Sequence, residues 1–283
     1  MLSYAEQIKQ AASYIRERLD GRQPTVGLIL GSGLGDLAEE VGDAAAIAFG
    51  DVPHFPVSTV EGHAGRFVAG TFQGKTALMM QGRIHYYEGY SMRQVALPVY
   101  VMRQLGIRTL VVTNAAGGMN RAFRPGDMML IRDHINMTGD NPLVGANDAG
   151  LGPRFPDMSA PYDASMRALA HRISQQMIGE DGSPLTLQEG VYCGISGPAY
   201  MTPAELTMLA KIGGDAVGMS TVAEVIAARH CDIDVLGISC ITDMAIGEEL
   251  EPLSHEQVIA VANRTKPKFA ALVKTLVREL GGV

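Results

Sequence analysis

The densest chemistry in this chain sits in Gly82-Arg-Ile-His-Tyr-Tyr-Glu-Gly-Tyr90, where Arg83, His85, Tyr87 and Glu88 share one short segment. Arg83 offers a planar fork of donors that matches an oxyanion in bidentate fashion. Glu88 follows His85 closely enough to orient its ring and favour its charged form. A solvated polar turn has the same composition, so both readings stay open on this segment alone. A metal held by His85 and Glu88 is a poorer reading, because Arg83 would compete for the space.

Three more segments carry polar groups where strands give way to loops. Gly31-Ser32-Gly33 follows an apolar run, so its backbone N–H groups and the Ser32 hydroxyl can cradle an oxyanion, or simply make a tight turn. It is not a dinucleotide fingerprint, since Asp36 stands where the third glycine belongs and would repel a pyrophosphate. Glu61-Gly-His-Ala-Gly65 places His63 between small residues, as a surface histidine or as part of a site. Ser220 ends an apolar run and opens the next helix, either as a plain N-cap or as an anion contact at the positive end of the helix dipole.

The frame for these groups follows from hydrophobic periodicity. Tyr4–Leu19 reads as an amphipathic helix. Val26–Leu30, Thr76–Met80, Thr109–Thr113, Met128–Ile131, Gly190–Ile195, Ala216–Met219 and Val235–Ile241 read as strands. Ser91–Leu105, Ala164–Met177, Pro203–Lys211, Thr221–Cys231 and Ser254–Leu280 read as helices, with Pro98 and Pro267 expected to kink or divide two of them. Strands alternating with helices imply an α/β fold with a central mixed, largely parallel sheet flanked by helices. No composition shift divides residues 1–283, which are expected to form a single domain. The long Gly- and Pro-rich stretch from Asn136 to Asp163 points to a functional or interface loop.

Composition narrows the partners. The 283 residues are 47% hydrophobic and 19% charged, enough apolar material for a sizeable core. A net charge of -7 without a basic run argues against nucleic acid and anionic membranes, while local Arg and His residues can still hold a small anion. Cys193, Cys231 and Cys240 match no zinc spacing and read as reduced core residues. No signal peptide or membrane-length apolar run is visible, so a soluble, cytoplasmic protein is expected.

Taken in order, Gly31-Ser-Gly-Leu-Gly35, Gly62-His-Ala-Gly65, Gly82-Arg-x-His-x-Tyr-Glu-Gly-Tyr90, Thr113-Asn-Ala-Ala-Gly-Gly118, Gly126-Asp127, Asp133-His-Ile-Asn136 and Asp215-Ala-Val-Gly-Met-Ser-Thr221 resemble the trimeric purine nucleoside phosphorylases. That family shares its fold with the methylthioadenosine phosphorylases. The resemblance implies that a purine nucleoside and inorganic phosphate give free base and pentose 1-phosphate, with no metal or organic cofactor. It implies phosphate contacts from Ser32, His63, Arg83, His85, the Ala115 backbone and Ser220. Tyr87, Met219 and His255 would contact the ribose. Tyr200 would stack on the base, with Val217 lining the pocket and Thr242 beside Asp243. Phe155 would enter a neighbour's site, which implies a homotrimer.

Two residues depart from the 6-oxopurine members of that family. Met201 stands where they carry a Glu that accepts the N1 proton, and Asp243 stands where they carry Asn. An ionised Asp only accepts hydrogen bonds, and a protonated one can donate to N7. The methylthioadenosine phosphorylases also have Asp at this place. Both changes favour a 6-aminopurine such as adenosine, with retained inosine and guanosine specificity as the alternative. A methylthio substrate fits less well, because His255 suits a 5'-hydroxyl. A nucleoside hydrolase or a non-catalytic nucleoside-binding protein is disfavoured by the intact phosphate set.

Overall fold

The computed structural model describes residues 2–60, 64–179, 182–252 and 254–281, and the His255 side chain also lies outside the description. Its strands are β1 (Val26–Leu30), β2 (Gly42–Ala48), β3 (Arg66–Phe72), β4 (Lys75–Gln81), β5 (Thr109–Gly118), β6 (Met128–Met137), β7 (Leu187–Ile195), β8 (Ala216–Gly218) and β9 (Asp234–Met244). Its helices are α1 (Tyr4–Arg18), α2 (Met92–Gln104), α3 (Ala164–Ser174), α4 (Pro203–Lys211), α5 (Val222–His230) and α6 (His255–Glu279). Among the described residues no helix is long and apolar enough to cross a membrane.

The strands form one mixed sheet in the order β2-β3-β4-β1-β5-β8-β7-β6-β9, and a further β5–β9 pairing closes β5, β8, β7, β6 and β9 into a ring. β1 lies parallel between β4 and β5. Every residue of its Val-Gly-Leu-Ile-Leu run is buried, as a strand covered on both faces requires. Ile29 faces a cluster shared with α1, α2 and α5, whereas Leu28 and Leu30 face one shared with α3 and α6. The alternating strand period therefore divides the core into two layers.

Pro98 and Pro267 each lie within one continuous helix rather than dividing it. Burial overrides the local propensity. Leu97, Val99 and Val101 of α2 are sunk in one core layer, and Phe269, Leu272, Val273 and Leu276 of α6 in the other.

β2 and β3 carry no strong strand signal in the sequence. β2 reads Gly-Asp-Ala-Ala-Ala-Ile-Ala and is mostly exposed at the sheet edge, so neither β-branched residues nor a buried run marks it. β3 contains Gly70, where a Cβ would run into the carbonyl of Gly42. Its turn into β4 uses Gln73 and Gly74, both at positive φ, which matches a tight two-residue hairpin.

β5 and β9 extend beyond the runs the sequence suggests, through Asn114–Gly118 and Thr242–Met244. Their parallel register holds to Ala116↔Ile241, then shifts to Gly117↔Asp243, leaving Thr242 as an extra residue. Such an irregularity re-aims the side chains that follow it. Gly117 permits this one, because a Cβ there would stand 3.0 Å from Asp243 Oδ2 and 2.9 Å from Ala245 Cβ.

Candidate active site

A cavity of about 320 Å³ opens where β1, β4, β5, β8 and β9 end. That is the size of a small-molecule site. One end is polar and gathers Ser32, Arg83, His85, Asn114, Ala115 and Ser220 from four separate loops and strand ends. The other end is largely apolar, with Ile195, Leu206, Val217, Met219 and Ala245 joined by Tyr200, Met201, Thr242 and Asp243. Tyr87 lines the same cavity, and Leu250, Glu251, Pro252 and Val258 reach it from the C-terminal part of the chain.

Arg83 is almost fully buried at the polar end. Its Nε and Nη2 donate to the two carboxylate oxygens of Glu224, each at 3.1 Å. Its Nη1 donates to the Thr113 carbonyl at 2.7 Å and to Ser220 Oγ at 3.3 Å. The guanidinium is thus held in one plane by groups from β5, α5 and the β8–α5 turn. Burying a charge is costly unless it is paired and hydrogen-bonded in this way.

His85 is fixed by Glu88. Glu88 Oε1 accepts from the His85 backbone N–H at 2.7 Å and lies 3.2 Å from His85 Nδ1. Glu88 Oε2 accepts from the Thr59 backbone N–H at 2.5 Å and from its hydroxyl at 2.8 Å. Burial opposes ionisation of Glu88, yet the hydrogen bonds from His85 and Thr59 outweigh it and hold the carboxyl at about 2. Burial pushes His85 below its ordinary value against the pull of Glu88. The His85 ring stacks on Tyr87, with centroids 4.7 Å apart. Burial, followed by the charge of Glu88, pushes the Tyr87 phenol up to about 12.

At the other end Thr242 Oγ1 donates to Asp243 Oδ1 at 2.8 Å. Burial raises the Asp243 carboxyl above its ordinary value, and the Thr242 bond offsets only part of that. Tyr200 stands at the mouth, half exposed.

The structure therefore brings Ser32, Arg83, His85, Tyr87, Ala115, Tyr200, Met201, Val217, Met219, Ser220, Thr242 and Asp243 to one cavity. Glu88 stands behind His85 rather than in the wall. Phe155 lies elsewhere, 88% exposed beside Arg154 in a second surface cavity lined also by His134 and Asn136. His63 and the His255 side chain lie outside the described residues. Sequence reasoning gave no role to Asn114, Thr221 or Glu224. A lone acid in the otherwise apolar Val222–Ala228 run was the available signal for Glu224.

The model of the Phosphorylase superfamily matches residues 25–278. Purine nucleoside phosphorylase 1 of Geobacillus stearothermophilus is 54% identical over 273 residues, covering 96% of this chain and 97% of that protein. The chain belongs to the purine nucleoside phosphorylases. Purine nucleoside phosphorylase 1 of Bacillus subtilis (strain 168) is 50% identical over 97% of this chain and 98% of its own length. Among solved purine nucleoside phosphorylases, isoform 2 from Schistosoma mansoni, in complex with cytosine and ribose-1-phosphate, superposes with a TM-score of 0.92. It is 43% identical and covers 98% of each chain. Enzymes of this family use phosphate as co-substrate, and the polar and apolar ends of the cavity offer complementary environments for an anion and a base.

Proposed function

We propose that this purine nucleoside phosphorylase prefers 6-aminopurine nucleosides, adenosine first. The observation that carries the reading is the partly buried Asp243 carboxyl, raised above its ordinary value, in the same cavity as Met201.

Phosphate, bound by Ser32, His63, Arg83, His85, the Ala115 N–H and Ser220, attacks C1' with an oxygen lone pair. The C1'–N9 bond breaks, and its electron pair moves into the purine. The ribosyl group passes through a cation-like state, so an anion fixed beside it supplies proximity and countercharge together. Tyr87, Met219 and His255 hold the ribose, while Tyr200 and Val217 flank the base.

Asp243 acts on the far edge of the base. In its acid form it donates its proton to N7 as charge develops there, and it is left as a carboxylate. That carboxylate faces the new N7–H and the 6-amino group, which are two donors for an acceptor-only group. A 6-oxopurine would set its O6 acceptor against the same charge. Met201 offers no acceptor for the N1–H of hypoxanthine or guanine. One such mismatch in a buried site costs about 1–3 kcal/mol, roughly 5- to 150-fold in rate.

Initial rates with adenosine and inosine, each with and without phosphate, test this. Phosphate-dependent turnover favouring adenosine, with the ratio falling in Asp243→Asn, supports it. Wild-type preference for inosine rejects it. The proposal extends to assembly: a homotrimer in which exposed Phe155 covers a neighbour's site. A monomeric mass in solution would reject that part.

A further inference from the structure

Thr221 is a buried, β-branched residue with φ 73° and ψ −48°. It closes a three-residue turn in which the Val222 N–H donates to the Ser220 carbonyl at 2.8 Å. This is the positive-φ form of the γ-turn, which is rare and strained. A β-branched side chain makes it more so. Strain of this kind persists only where the surroundings over-determine it, and it gathers at functional sites.

What holds the turn is a buried amide. Asn114 Nδ2 donates to Thr221 Oγ1 at 2.9 Å, and Thr221 Oγ1 lies 3.1 Å from Ser220 Oγ. Asn114 is itself buried, and its Oδ1 finds no hydrogen-bond partner among the described residues. An orphaned buried carbonyl is unfavourable and calls for a reason. The bond to Thr221 supplies one.

Proton counting gives this chain of bonds a direction. The Asn114 amide N–H can only donate, so Thr221 Oγ1 accepts from it. The Thr221 proton is then available to Ser220 Oγ, which also accepts from Arg83 Nη1 at 3.3 Å. With both acceptor positions of Ser220 occupied, its own hydroxyl is left to donate, either to the neighbouring Tyr192 hydroxyl or to an anion in the cavity. Ser220 lines the polar end of the cavity.

We propose that Asn114 and Thr221 are positioning residues that clamp the γ-turn and orient the Ser220 hydroxyl as a donor toward phosphate. This rests on the reading of Ser220 as a phosphate ligand. Neither residue needs to touch the anion. Asn114 sets the direction of the relay, and Thr221 carries it around a turn that an unclamped threonine would leave.

The test compares Thr221→Gly with Thr221→Ser, and adds Ser220→Ala as a control. Glycine accepts positive φ without strain, so this variant keeps the turn while removing the hydroxyl. Expected is a rise of about tenfold in KM for inorganic phosphate in Thr221→Gly, the effect of one weakened hydrogen bond to an anion. The nucleoside KM should move by less than about twofold at that scale, and Thr221→Ser should restore most of the phosphate affinity. If Ser220→Ala raises the phosphate KM but Thr221→Gly does not, the relay is wrong and the site reading stands. If Ser220→Ala leaves the phosphate KM unchanged, the site reading itself fails and the relay falls with it. If Thr221→Gly raises both KM values equally along with a lower thermal midpoint, the role is structural and the relay is again rejected.

Discussion

Glu224 grips Arg83 side-on, with each carboxylate oxygen 3.1 Å from a different guanidinium nitrogen, and both side chains are nearly fully buried. The pair lies between α5 and the loop after β4, so it joins two elements distant in sequence at the polar end of the cavity. A buried ion pair is not in itself a large source of stability, but breaking it leaves an uncompensated charge. Glu224→Ala is expected to cost about 3–5 kcal/mol in unfolding free energy by denaturant titration. Glu224→Gln keeps the shape and should lose less. In both variants the phosphate KM should move more than the nucleoside KM, because Arg83 loses its fixed plane. Equal movement of the two would remove Glu224 from any role at the anion.

Gly117 controls Asp243 by absence. A methyl group there would stand 3.0 Å from Asp243 Oδ2, near the end of β9, and 2.9 Å from Ala245 Cβ, just beyond it. Gly117→Ala should therefore displace the carboxyl and also press on the backbone at Ala245, whose Cβ moves only with its chain. We expect the chain to fold, with turnover of adenosine reduced by about tenfold or more, as for loss of one hydrogen bond formed in the transition state. Phosphate affinity should barely change. Unaltered adenosine kinetics would place the reacting edge of the base away from Asp243.

What is legible in the sequence depends on range. The polar segments of the cavity are readable because each is a short polar run bounded by glycine at the end of an apolar strand, so Arg83, His85 and Ser220 stand out one by one. Glu224 pairs with a residue 141 positions away, and nothing local announces the match. Asn114 and Thr221 are separated by 107 positions and are similarly silent. Gly117 and Gly118 look like loop residues because glycine weakens strands. In the fold they continue β5, because only glycine lets the strand lie so close beneath Asp243, Ala245 and Met244. The edge strand β2 escapes for the opposite reason, since alanines on an exposed edge have too little apolar pattern to read.

Asp243 should also leave a mark on stability. Burial raises its carboxyl above 3.8, so the folded chain holds that proton more tightly than the unfolded chain does. The resulting stabilisation is fully present below the unfolded value and is lost as pH rises through the folded value. Asp243→Asn stays neutral throughout. The thermal midpoint of the variant minus that of the wild type should rise with pH across this window and level off above it. Midpoints measured from about pH 4 to about pH 8 would show it. A difference that stays flat would mean the carboxyl is not raised, which would also weaken its part as proton donor to N7.

The opposite sign applies to Glu88, and through it to His85. The Glu88 carboxyl is held at about 2, so its contribution to stability is present above 4.5 and fades as pH falls toward that lower value. At working pH it is a fixed negative charge beside His85 Nδ1. The proton of neutral His85 belongs on that nitrogen, and Nε2 gains one only when the ring becomes cationic. Because burial lowers the His85 value below 6.5, an arriving anion must draw that second proton onto the ring. Anion affinity should therefore fall as pH rises through the His85 value. Sulfate reports this cleanly as a competitor of phosphate, since it does not itself titrate in this range. Its inhibition constant should increase with pH. In Glu88→Gln the rise should begin at lower pH, and the neutral-pH constant should be weaker by roughly fivefold, the difference between a charge-assisted and a neutral hydrogen bond. A sulfate constant independent of pH in the wild type would show that His85 binds the anion without changing its protonation, and the role of Glu88 would reduce to holding the ring in place.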